Sequence, residues 1–260
     1  MSRTHGFTTA TCSTTTATAM ALLCSPAAGA IGPADSNGGL SAQQLVAQAR
    51  AGVQKAKSVR LDYTDRSAQA KASTTQPTSM KLALDRGGNC TGTMALGEHG
   101  GTVQIVKRGA EVWLKPDAAF WKAELPGRQG PAAAAKFKDR YLHGSASDTP
   151  LSGIADACDL DVLQRDVTKG AALPSSVKKD AETALDDMKV IPLSFRQNGV
   201  TTTQYVTADP AHHLYRTVKK GGGTDLTMTL TDYDKPVPTK TPPAKESVDV
   251  SKLKQELQGL

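Results

Sequence analysis

Between residues 59 and 116 the sequence alternates apolar and polar residues with a period of two, in five short segments separated by Gly, Pro and Ser. Such alternation is typical of strands that bury one face, and Leu82 with Leu84 and Val103 with Ile105 mark that face. The close spacing permits only hairpin connections, so these strands must form an antiparallel meander. The predicted strands span residues 59–67, 80–85, 91–97, 102–108 and 111–116.

The alternation returns in the last third of the chain. Asn198-Gly199 is a strong signal for a hairpin turn between two alternating arms, in which Leu193 and Phe195 share one face. A second hairpin is predicted across residues 221–223. Its last strand places apolar side chains on one face, at Leu226, Met228 and Leu230. The pattern predicts about nine strands in total.

Several segments have helical spacing instead. Ser41 and Gln44 form a capping box before a helix over residues 41–57. The apolar stripe of that helix consists of Leu45, Val46, Ala49, Val53 and Ala56. Between the two groups of strands, helices are predicted from Pro131 onward, over 159–167 and over 175–188, and a short helix is predicted at the C-terminus.

Charge and motifs exclude several classes of function. The net charge is +6, but the basic residues are spread among acidic ones without an aromatic platform, so no nucleic-acid partner is expected. The chain has no nucleophile elbow, P-loop, dinucleotide fingerprint or zinc-protease motif. We therefore expect no enzymatic activity, no cofactor and no metal site.

The first thirty residues have the layout of an export signal. A basic residue, Arg3, precedes a short apolar centre and a small-residue exit, and no acidic residue occurs. Two processing sites compete. Cleavage after Ala30 would release a secreted protein, whereas "LLCS" resembles a bacterial lipobox that would make Cys24 a lipid-modified first residue and a membrane anchor. Either route leads to an extracytoplasmic protein, lipid-anchored in the cell membrane or secreted.

The domain boundaries follow from these signals. Residues 1–30 are the export signal, residues 31–40 form a flexible tether rich in Gly, Pro, Ser and Asn, and 255–260 are the C-terminal end. Residues 41–254 form one domain. In an oxidising compartment the even pair left in this domain, Cys90 and Cys158, is expected to form a disulfide.

The order of these features is similar to that of one known group. Signal, tether, amphipathic helix, meander, helical insert and second meander, closed by "DYDKPVPTKTPPAKESVDVSKL", resemble the actinobacterial LppX/LprAFG lipoproteins, which are structurally similar to LolA-type lipoprotein carriers. The stretches "DRGGNCTGTMALG", "VWLKPDAAFWK" and "ACDLD" are similar to the streptomycete branch of that group. The resemblance covers about residues 41–254.

The resemblance implies an α+β fold with a strongly curved antiparallel sheet, a half-barrel, and helices packed on its concave face. It also implies an apolar cavity for a lipid or other hydrophobic small molecule. The side chains expected to line that cavity are Leu45, Val53, Leu82, Leu84, Val103, Ile105, Trp113, Phe120, Trp121, Leu193, Phe195, Met228 and Leu230.

Two questions stay open at this level. Trp113, Phe120 and Trp121 lie within nine positions, and they either cover the end of the sheet or form the mouth of the cavity. The chain as a whole is either a non-enzymatic carrier or receptor for a hydrophobic ligand, or an envelope interaction or sensor module with a fully packed core and a protein partner.

Overall fold

A computed structural model gives the structure of residues 39–168 and 176–260. The export signal, nearly all of the tether and Cys24 lie outside these described residues. The strands are β1 (Ser58–Asp65), β2 (Pro77–Asp85), β3 (Cys90–Leu96), β4 (Thr102–Arg108), β5 (Glu111–Pro116), β6 (Tyr141–Ser145), β7 (Lys178–Lys179), β8 (Thr183–Leu185), β9 (Met188–Gln197), β10 (Val200–Thr207), β11 (Leu214–Gly221), β12 (Thr224–Thr231) and β13 (Ser247–Asp249). The α-helices are α1 (Ala42–Lys55), α2 (Ala68–Ala72), α3 (Ala118–Glu124), α4 (Gln129–Lys136), α5 (Thr149–Asp156), α6 (Leu160–Thr168) and α7 (Val250–Gln258).

The described strands form one curved sheet that does not close into a barrel. Its order is β13-β6-β5-β4-β3-β2-β1-β12-β11-β10-β9-β7, and β8 also pairs with β9. The predicted meander β1 to β5 and the predicted pair of hairpins β9 to β12 are confirmed. They are joined where β1 pairs with β12, so the sheet has a first arm, β1 to β6, and a second arm, β9 to β12, with β13 at one edge and β7 and β8 at the other. Within the described residues the pairing of β13 with β6 is parallel and the others are antiparallel.

The two predicted hairpin turns are present. Asn198 and Gly199 both have positive φ, 51° and 78°, as a two-residue turn between right-twisted strands requires. Gly222 and Gly223 form the corresponding turn between β11 and β12, and their φ values are also positive, 58° and 81°. Glycine adopts positive φ without the steric penalty of a Cβ atom, which favours these two turns. Since a turn fixes which residues of its two strands lie opposite each other, the two turns set the register of the second arm.

One face of the sheet, here called the inner face, packs against helices to form the core. Helix α1 begins with the predicted capping box between Ser41 and Gln44. Its stripe is buried, with Leu45 and Val46 fully inaccessible, and it packs against α6, β10 and β11. Helices α3 to α7 add further side chains to the same core, among them Trp121, Leu151 and Leu253. Truncating one such buried aliphatic side chain to Ala costs about 2–5 kcal/mol.

The predicted disulfide is present. Cys90 at the start of β3 is bonded to Cys158, which lies just before α6, and both side chains are fully buried. The bond closes a loop of 68 residues, which in the chain-entropy account is worth about 4 kcal/mol. Asp159 then caps α6 by accepting from the backbone N–H groups of Asp161 and Val162. The disulfide bond therefore fixes the beginning of α6 over the inner face of the sheet.

The predicted helix over 175–188 is wrong for the part that the structure describes. This segment forms β7 and β8, and Asp186 and Asp187, with φ of 49° and 63°, make a hairpin turn into β9. Arg216 Nη2 donates to Asp186 Oδ2 at 2.5 Å and fastens this turn. Because β9 offers unpaired backbone groups at the sheet edge, pairing there outweighs the helical pattern of Val177, Ala181, Leu185 and Met188.

The helix predicted from Pro131 is shorter than its sequence pattern. Helix α4 ends at Lys136, Asp139 takes φ of 59°, and the chain enters β6 at Tyr141. The short strands β6, β7, β8 and β13 raise the strand number above the predicted nine. Strands β7, β8 and β13 lie at the edges of the sheet, whereas β6 lies between β13 and β5.

Candidate functional site

A cavity of about 610 Å³ lies between the inner face of the second arm and helices α1 and α6. Strands β1 and β2 of the first arm close it on one side. Its volume is within the range of roughly 300–1,000 Å³ that ligand sites occupy. The lining residues are Arg50, Leu61, Tyr63, Met80, Leu163, Asp166, Val167, Phe195, Gln197, Asn198, Thr202, Gln204, Thr217, Lys219, Leu226 and Met228.

Strand register builds the floor of the cavity as two rows. In the first row Met80 lies opposite Tyr63, Tyr63 opposite Met228, Met228 opposite Thr217 and Thr217 opposite Gln204. In the second row the order across the strands is Leu226, Lys219, Thr202 and Phe195. Side chains opposite each other in antiparallel strands share one face, so these rows form one continuous surface.

The character of this surface changes along the first row. Met80, Tyr63 and Met228 give an apolar half on β2, β1 and β12. Thr217 and Gln204 give a polar half on β11 and β10, and both are buried, with 4% and 7% exposure. Gln204 Oε1 and Thr217 Oγ1 have no hydrogen-bond partner within residues 39–168 and 176–260.

Helix α6 roofs the cavity with Leu163 and Val167. Its position is fixed by Gln164, whose Nε2 donates to the carbonyl oxygens of Val53 and Ala56 at 2.8 and 3.0 Å. These carbonyls lie at the C-terminal end of α1, where helical carbonyls lack intrahelical partners. Gln164 therefore caps α1 and holds α6 beside it with one buried amide.

Charged groups lie on the helices and at the outer end of the floor. Arg50 projects from α1, Asp166 from α6 and Lys219 from β11, and the last two are exposed. Burial, together with the nearby charge of Asp65 and a hydrogen bond to it, raises the pKa of Tyr63 to about 12. The Tyr63 hydroxyl therefore stays protonated at neutral pH and donates to Asp65 Oδ2 at 3.4 Å.

Two of the residues predicted to line a cavity, Phe195 and Met228, line this one. The other predicted aliphatic residues are buried in the packed core, at Leu45, Val53, Leu82, Leu84, Val103, Ile105, Leu193 and Leu230. Sequence reasoning missed the polar half. The sequence feature that could have indicated this half is a threonine or glutamine at an inward-facing position of a strand whose residues alternate between apolar and polar, as at Thr202, Gln204 and Thr217.

The predicted aromatic group is divided by the structure. Trp113 lies on the opposite face of β5 from Val112 and Leu114, stacked on His143 with ring centroids 4.5 Å apart. Phe120 and Trp121 are on α3, where Trp121 is buried and stacks on Phe137 at 5.1 Å. None of the three is among the described residues that line the cavity.

Two further features were sought among the described residues: a cluster that could bind a metal ion and a helix that could span a membrane. Across 39–168 and 176–260 no three His, Cys, Asp or Glu side chains come close enough together to hold a metal ion. Within the same ranges no helix has both the length and the apolar character of a membrane span.

Comparisons with known proteins identify the fold. No protein-family model matches the sequence, and no curated protein sequence matches it significantly. The structure is similar to that of LprF from Mycobacterium bovis, with 16% identity, a TM-score of 0.51, and coverage of 77% of this chain and 96% of that one. It also matches the lipoprotein LppX from Mycobacterium tuberculosis, with 13% identity, a TM-score of 0.47, and coverage of 77% and 100%. The chain therefore has the α+β fold of LprF, as its resemblance to the LppX/LprAFG group implied, while its place in the streptomycete branch stays a prediction.

Proposed function

We propose that this protein is a non-enzymatic, exported binding protein that holds a lipid or other hydrophobic molecule in the cavity beneath α1 and α6. The observation that supports it is the cavity itself, about 610 Å³ bounded on one side by Leu61, Met80 and Met228. Burial of apolar ligand surface there contributes about 25 cal/mol per Å² before ordering costs. A cavity of this size weighs against the alternative of a fully packed interaction module.

The first test is native mass spectrometry of the full chain, purified from its host without detergent. We expect a fraction of the protein to carry an added mass that organic solvent releases as lipid. A protein that emerges free of bound molecules, and that also fails to take up an uncharged apolar dye, would contradict the proposal and favour a protein partner.

A matched pair of variants assigns the binding to this cavity. Leu226→Trp places a large ring inside it, whereas Thr227→Trp adds the same ring on the opposite face of β12. We expect Leu226→Trp to displace most of the bound lipid and Thr227→Trp to retain it. Thermal unfolding of both variants checks that each is folded.

We further propose that the protein acts on the outer side of the cell membrane. The support is the signal-like N-terminus, which carries both Cys24 and the Ala30 cleavage site. Growth with an alkyne fatty acid should label the protein in the membrane fraction and fail to label Cys24→Ser, while Cys12→Ser stays labelled. Secreted protein with Ile31 at its N-terminus would instead establish cleavage after Ala30.

A further inference from the structure

The buried polar side chains divide into two groups. Within the described part of the chain seven polar side chains are buried. Four of them hydrogen-bond to protein groups: Ser58, Gln164, Thr207 and His212. The other three, Thr202, Gln204 and Thr217, all line the cavity. Of these seven side chains, the three that form no side-chain hydrogen bond within the described residues therefore lie together at one wall of this site. Single buried atoms of other side chains, such as Trp121 Nε1 and Asp225 Oδ1, also lack a partner among the described residues.

Gln204 and Thr217 form the centre of that wall. They are direct partners across β10 and β11, and each is more than nine-tenths buried. Gln204 Oε1 and Thr217 Oγ1 lack a partner among residues 39–168 and 176–260. Leaving such atoms unpaired in a folded protein costs free energy, so a wall of them marks a place where a bound molecule supplies the partner.

The chemistry of the wall restricts that partner. The Gln204 oxygen only accepts, and the Thr217 hydroxyl donates or accepts, so the bound group must present an O–H or N–H donor. Both side chains are neutral and cannot compensate a buried charge. The charged lining residues Arg50, Asp166 and Lys219 lie on the helices and at the exposed end of β11.

The apolar half begins immediately beside this wall. Thr217 lies opposite Met228, and Met228 opposite Tyr63, so a ligand that reaches Gln204 must also cover apolar surface. Building on the function proposed above, we infer that the cavity takes an amphiphile with an uncharged, hydrogen-bond-donating polar group. That group lies against Gln204 and Thr217, and its hydrocarbon chain lies along Met228, Tyr63 and Met80.

The test compares ligands that share one acyl chain. The full chain, freed of bound lipid, is loaded with the uncharged dye N-phenyl-1-naphthylamine, which is then displaced by monolauroylglycerol, lauramide, laurate or methyl laurate. We expect the glyceride or the amide to bind at least tenfold more tightly than the methyl ester, which has no donor, and than laurate, which is an anion. The stronger of the first two identifies the donor as hydroxyl or amide.

Variants connect the preference to the wall. Gln204→Met and Thr217→Val keep the approximate shape and remove the polar atoms, and Thr203→Val is the control on the opposite face of β10. We expect each wall variant to weaken the favoured ligand about tenfold and to leave methyl laurate unchanged, while Thr203→Val has no effect. Thermal unfolding of the unliganded variants confirms that they are folded.

The outcomes separate this inference from the proposed function. Equal binding of the donor ligands and methyl laurate, tighter binding of laurate, or an undiminished preference in the wall variants would overturn the inference while leaving a hydrophobic binding protein. Failure of the dye and of all four ligands to bind would overturn both.

Discussion

The two arms of the sheet share one alternating pattern but use their inner faces differently. In the first arm, Leu84, Val103 and Ile105 are almost completely buried in the packed core. In the second arm, inner positions carry Gln204 and Thr217, and the helices leave a cavity above them. The difference teaches that a polar residue at an inner strand position marks the part of a sheet that its own helices do not fill.

The roof of the second arm depends on the first arm. Helix α6 is attached through Cys158 to Cys90 on β3, and through Gln164 to the end of α1. These two attachments hold α6 above the cavity, which it lines with Leu163 and Val167.

Breaking the covalent link should have the largest effect. We expect Cys90→Ala/Cys158→Ala to lower the free energy of unfolding by about 4 kcal/mol, because the 68-residue loop is no longer closed in the unfolded chain. Urea denaturation measures the loss, and hydrogen exchange should show the greatest gain in α6. Unchanged exchange in α6 would contradict its dependence on this bond.

Truncating one residue in each arm tests the contrast directly. Ile105→Ala should cost about 3 kcal/mol because it opens a void in a filled core. Leu226→Ala should cost no more than about 1 kcal/mol, since Leu226 is half-buried and already faces the cavity. Both are measured by chemical denaturation of unliganded protein. Equal losses would show that the second arm is as tightly packed as the first.

Two buried threonines sharpen the comparison further. Thr207 Oγ1 accepts from the backbone N–H of His213 at 2.9 Å and contacts Asp209 at 3.0 Å. Thr207→Val should therefore destabilise the protein by about 1–2 kcal/mol. Thr217→Val removes a hydroxyl that has no hydrogen-bond partner among the described residues, so it should leave the unfolding temperature unchanged or raise it. A comparable loss in the two variants would mean that Thr217 is satisfied within the unliganded protein.

Much of the fold could be predicted because it depends on local patterns. Period-two alternation located β1 to β5, Asn198-Gly199 located a hairpin, and Ser41 with Gln44 located the start of α1. The 175–188 segment could not be predicted in this way. Its helical spacing is real, but pairing with β9 decides its structure, and that contact is not visible in the segment itself.

The candidate site was harder to predict for a related reason. Alternation identifies the face on which Leu193 and Phe195 lie, but not whether a helix covers it. Leu193 is fully buried in the core while Phe195, two residues further along, lines the cavity. That distinction follows from where α6 lies over the sheet, which depends on the Cys90–Cys158 bond and on Gln164.

The smallest expected effect is a titration at the apolar half. Burial is the main cause that raises the pKa of Tyr63 to about 12, with the charge of Asp65 second. The stability that this shift contributes is fully present below pH 10, the value for an unfolded tyrosine, and is lost as the pH rises through about 12. The difference in absorbance at 295 nm between the wild type and Tyr63→Phe isolates this ionisation. Asp65→Asn should lower the midpoint but leave it above 10, because burial persists; a return to 10 would show that water, rather than apolar surface, surrounds this end of the cavity.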